Sequence, residues 1–116
     1  MRRLLIPVVL ALVSSCVGEG SVAYTTPSGS VSMVEVNPGV YAVANYDEPV
    51  FYSDNFYWRY YGNRWYRSNW YTGGWAVASP PSAVLRIDRP YRYTHYRPAR
   101  HERIVIRDRA GRWHYR

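Results

Sequence analysis

Beyond residue 30, apolar and polar positions along the chain alternate mostly with a period of two, the spacing of strands rather than helices. Val34 and Val36 alternate with Met33 and Glu35, and Val40, Ala42 and Ala44 alternate with Tyr41 and Val43. Asn37-Pro38-Gly39 separates these two runs as a turn, and Asp47-Glu48-Pro49 ends the second. Short strands are predicted next at Val50-Phe51-Tyr52, Phe56 to Tyr61, Arg64 to Ser68 and Trp75 to Ala78. Turn formers cut them apart: Ser53-Asp54-Asn55, Gly62-Asn63, and a loop from Asn69 ending in Gly73-Gly74. If Gly62-Asn63 is a two-residue hairpin loop, Tyr61 faces Arg64, Tyr60 faces Trp65 and Trp58 faces Arg67. A three-residue loop would flip the second strand, because side chains alternate faces.

The period changes after Ser79-Pro80-Pro81. Ser82 to Ile87 is predicted as a short helix, with Val84, Leu85 and Ile87 covering the sheet. Tyr91 to Arg100 is expected to be extended. Arg103 to Arg107 and Arg112 to Tyr115 are expected strands around the turn Asp108-Arg109-Ala110-Gly111. The fold class is therefore mainly β: a small antiparallel meander or partly closed barrel with one short helix.

Composition sharpens this picture at Phe51 to Val77, which holds four of the five Trp and both Phe. A domain short of Leu and Ile must bury rings instead, each worth roughly 150–250 Å² of burial. Trp65 is expected at the packed centre of the hairpin. Trp70 and Trp75, in and beside the Gly-Gly loop, are candidate platforms for stacking sugar rings of a glycan.

The N-terminus is of another kind. Met1-Arg2-Arg3 is basic, and Leu4 to Val13 is apolar but short of the roughly 20 residues of a spanning helix. This order fits a secretory signal peptide. Val13-Ser14-Ser15-Cys16 follows and resembles the lipobox of bacterial lipoproteins, with Val13 where that motif favours Leu. The resemblance implies that Cys16, the single Cys of the chain, is acylated and holds the mature protein to a membrane. Val17 rather than Asp after Cys16 implies outer-membrane sorting, lipid-anchored and facing the periplasm. Ordinary cleavage would instead give a soluble periplasmic or secreted module binding carbohydrate or cell wall. The organisation expected is a signal peptide at 1–15, lipidated Cys and flexible tether at 16–32, aromatic domain at 33–90, and a basic segment at 91–116.

A second resemblance covers residues 46–90. Tyr57-Trp58-Arg59-Tyr60-Tyr61-Gly62-Asn63-Arg64-Trp65-Tyr66-Arg67-Ser68, then Gly73-Gly74-Trp75 and Pro80-Pro81, resembles a group of small exported bacterial proteins of unknown function. It implies an aromatic hairpin and an envelope location, and brings no catalytic residues.

Charge adds a partner class. All fifteen basic residues are Arg. From residue 86 onward ten Arg stand against Asp88, Glu102 and Asp108, whereas residues 16–58 carry acids and no base. A basic tail on an exported chain points to anionic lipid or lipopolysaccharide rather than nucleic acid. Arg97, Arg100, Arg103 and Arg107 are the expected contacts. His95, His101 and His114 lie among these Arg without metal-ligand spacing. No nucleophile elbow or phosphate loop occurs, so neither an enzyme nor a cofactor is expected.

Overall fold

The computed structural model describes residues 29–115. The expected signal peptide, Cys16 and the greater part of the expected tether lie outside them. Eight strands form one antiparallel sheet: β1 (Ser30–Asn37), β2 (Val40–Val43), β3 (Val50–Ser53), β4 (Phe56–Tyr61), β5 (Arg64–Ser68), β6 (Ala76–Val77), β7 (Ile104–Asp108) and β8 (Trp113–Tyr115). One turn of helix, α1 (Ser82–Leu85), and a 3-10 turn at Pro90–Tyr93 lie between β6 and β7.

The sheet order is β6-β5-β4-β3-β2-β1-β7-β8. The first six strands are a meander in reverse, and the last hairpin returns to the free side of β1. Ser30 to Val34 of β1 pairs with Asp108 to Ile104 of β7. The basic segment is thus part of the sheet, and the sheet starts at Ser30, inside the stretch expected as tether. Val31 supplies the reason, since it is buried and the serines beside it alternate with it.

The predicted hairpin register holds at every named pair: Tyr61 with Arg64, Tyr60 with Trp65, Trp58 with Arg67. Gly62 and Asn63 both have positive φ, at 58° and 62°. That geometry matches the strand twist and needs residues that tolerate it.

Both faces of the sheet are covered, so β1 is not the half-buried strand its alternation suggests. Met33 and Val34 are both buried, one on each side. The first face carries Val31, Met33, Val43, Val50, Tyr52, Tyr57 and Val105. The second carries Val40, Ala42, Phe51 and Trp58, with Val84 and Ile87 packed over them. Leu85 does not share in this cover and is 56% exposed, because the helix ends after one turn and turns that position outward.

The sheet coils around its first face. In a flat sheet β7 and β4 would stand about 19 Å apart, four strand spacings. Yet Arg107 on β7 donates a hydrogen bond from Nη1 to Tyr57 Oη on β4 at 3.4 Å. The two ends of the coil do not pair, so the barrel stays open.

Candidate functional site

Tyr91 to Arg100, expected to be extended, instead belongs to a segment, residues 88–103, that opens with a 3-10 turn. This segment forms a strap across the second face. Arg89 has φ 60° and Pro90 fixes the next φ, so the chain turns instead of continuing. Tyr91 packs edge-to-face with Tyr60 at 5.2 Å and Tyr93 with Phe51 at 5.3 Å. The Gly62 N–H donates to Tyr91 Oη at 3.1 Å. Farther on, the Asn45 N–H donates to the Tyr96 carbonyl at 2.7 Å, and the His95 N–H to the Tyr46 carbonyl at 2.6 Å. Partial burial of Tyr93 and Tyr96, the edge contact of Tyr91 and two backbone bonds favour this path over the extended form, which would leave the rings in water.

Glu102 closes the end of the strap. Its carboxylate accepts from the Tyr96 hydroxyl at 3.0 and 3.1 Å and from the Ala99 N–H at 2.6 Å. Burial first, and then this acceptor, push the Tyr96 phenol above its ordinary range. The acid is therefore turned inward to a phenol and a peptide. Arg97, Arg100 and Arg103 are exposed along the strap, and none is within ion-pair distance of a described acid.

Arg107 does not belong with them. The alternation of β7 puts it on the first face, where its guanidinium carbon lies 4.6 Å from the Tyr52 ring and 5.7 Å from the Trp113 ring. Its Nε is buried without a hydrogen-bond partner. The expected set of four arginines divides into three on the strap and one in the coil.

Trp70 and Trp75 both pack against the first-face core. Arg109 covers the Trp70 ring at 4.9 Å, and Arg59 covers the Trp75 ring at 5.0 Å. A sugar stacking on either ring would have to displace a guanidinium. Arg59 also pairs with Glu48 at 3.5 Å and lies over Tyr66 at 4.8 Å. The hairpin register already places Arg59 opposite Tyr66, so that stack was readable from sequence. The contact of Arg109 with Trp70 was not, because it exists only through coiling.

That contact marks the seam, where the loop after β5 meets the turn between β7 and β8. An open depression of ≈ 390 Å³ lies there, lined by Ser68, Asn69, Trp70, Thr72, Gly73, Gly74 and Arg109. Ser68 fixes the loop: its hydroxyl donates to the Gly73 carbonyl and accepts the Trp70 N–H at 3.1 Å. Gly74 has φ 76°, and a side chain there would press on Ser68 Oγ at 3.3 Å.

On the far side of the same turn, Asp108 Oδ2 lies 3.0 Å from His114 Nε2. That hydrogen bond first, and the Arg112 N–H second, lower its pKa from 3.8 to about 2. Among the described residues no three His, Cys, Asp or Glu gather as a metal site, and no helix is long and apolar enough to cross a membrane. No protein family, curated protein or solved structure matches the chain. The fold and the strap therefore define it as an open, coiled antiparallel β-domain with a cationic belt over its covered face.

Proposed function

We propose that the chain is a small bacterial envelope lipoprotein, anchored in the outer membrane by acyl chains on Cys16, whose strap contacts phosphate-bearing surface lipids. The observation that carries this reading is the display of Arg97, Arg100 and Arg103 on one exposed segment with its local acid, Glu102, bound inward. Arg keeps its charge at any relevant pH and pairs with phosphate through two parallel N–H bonds. An acyl anchor holds the strap near a phosphate-rich surface, so weak contacts gain from high effective concentration. The role is structural or binding rather than catalytic. Glycan stacking at Trp70 and Trp75 has less support, because guanidinium groups occupy their rings.

Two measurements test the reading. Cys16→Ser in the full chain is expected to abolish palmitate labelling and move the protein out of the membrane fraction; unchanged labelling would refute the anchor. The same variant, purified, is expected to co-sediment with anionic vesicles or lipopolysaccharide at low salt and to release as salt rises. Changing Arg97, Arg100 and Arg103 together to Gln should remove most of this binding with the melting curve unchanged. Binding indifferent to both salt and the triple substitution would leave these arginines as balance for the acidic half of the chain.

A further inference from the structure

The seam has a charge that the strap does not explain. Arg107 and Arg109 approach it from the β7 side, and no described carboxylate lies within ion-pair distance of either. Asp108 stands between them in sequence, but strand alternation turns it to the other face, where it meets His114 and Arg112. Arg107 is half-buried and already held by the Tyr57 hydroxyl and the Tyr52 and Trp113 rings, which leaves Arg109 as the cation on the depression. Arg109 lies over the Trp70 ring and lines the depression beside it.

The rest of the lining is neutral and polar. Asn69 offers an amide, Thr72 a hydroxyl, and Gly73-Gly74 a backbone that approaches without side chains. Ser68 is already committed within the loop. An arginine fork beside several neutral donors and acceptors matches a ligand with one oxyanion and several hydroxyls. The volume of ≈ 390 Å³ falls in the range of small-molecule sites and suits a single sugar ring.

We propose that the seam binds an anionic monosaccharide unit, its carboxylate or phosphate on Arg109 and its hydroxyls on Asn69 and Thr72. Trp70 acts as the seat of Arg109 and not as the sugar platform. The site is separate from the strap, lies beside the opposite face of the sheet, and stands or falls independently of lipid binding.

The test is tryptophan fluorescence and calorimetric titration of the full chain carrying Cys16→Ser. Glucuronate and glucose-1-phosphate are the probes, with glucose and inorganic phosphate as comparisons. Saturable binding of either sugar anion is expected, with neither comparison binding as well; which of the two binds tells carboxylate from phosphate. Arg109→Gln should weaken that binding about tenfold or more, the loss expected for a charge-assisted pair. Asn69→Ala, at an exposed loop position that cannot unfold the sheet, should weaken it as well. Arg97, Arg100 and Arg103 changed to Gln should leave it intact. Equal binding of inorganic phosphate would overturn the sugar assignment. Absence of binding by both sugar anions, or binding unaffected by Arg109→Gln and Asn69→Ala in folded variants, would overturn the site.

Discussion

Phe51 and Trp65 touch across the second face with ring centroids 6.0 Å apart, yet they do unequal work. Phe51 is wholly buried beneath Tyr93 and the helix, whereas Trp65 lies half-buried on the hairpin and not at its packed centre. Phe51→Ala is expected to cost about 3–5 kcal/mol, enough to unfold a domain of this size. Trp65→Ala should cost distinctly less, about 1–3 kcal/mol, because part of its surface stays in water. Urea denaturation of both variants checks the order, and an equal loss would place Trp65 in the core. Asp108 gives a residue-scale dependence on pH. Its folded pKa, about 2, is below the ordinary 3.8, so its contribution is complete above about pH 4 and disappears as pH falls through 2. Trp113 fluorescence should change over that window in the parent and remain flat in Asp108→Asn.

At the scale of elements, the hairpin of β4 and β5 was legible because its information is local. Gly62-Asn63 fixes the loop length, loop length fixes the register, and register fixes the faces. Asn63→Val puts a β-branched side chain at φ 62° and deletes the acceptor of the Tyr60 hydroxyl at 3.2 Å. A loss of about 1–2 kcal/mol is expected, read as a lowered Tm, and an unchanged Tm would show that the turn relaxes to another type. The strap was not legible for the opposite reason. Tyr91 meets Tyr60 and Gly62, and Tyr93 meets Phe51, across about thirty or more residues of intervening chain. A Tyr- and Pro-rich stretch looks the same in sequence whether its rings are solvated or docked. The site divided along the same line: alternation places Arg103 and Arg107 on one face, and only the start of β7 at Ile104 leaves Arg103 on the strap and Arg107 in the sheet.

Across the whole molecule, burial raises the pKa of Tyr41, Tyr46, Tyr57, Tyr71 and Tyr96 above 10.0, with burial the largest cause for each. A phenol raised in the folded state stabilises fully below pH 10 and loses that contribution as pH rises beyond it. The domain should therefore unfold in alkali in one step, with phenolate absorbance and near-ultraviolet dichroism changing together. Phenolate forming near pH 10 with the dichroism intact would show that these rings are accessible. No single ring announces this in the sequence; it follows from the coil that closes the first face over Tyr41, Tyr46, Tyr57 and Tyr71 and from the strap that docks Tyr96.

The return of the last hairpin to β1 has a consequence for synthesis. A chain emerging N-terminus first delivers β1 at the outset, but one of its two hydrogen-bonding edges waits for β7, some seventy residues later. Until then that edge is an open template for other chains, and pairings so distant in sequence are slow to form. A partly synthesised molecule is thus the vulnerable one. A chain ended at Arg103 should keep the β4–β5 hairpin yet become protease-sensitive and prone to join its own copies through β1, which limited proteolysis and light scattering would detect.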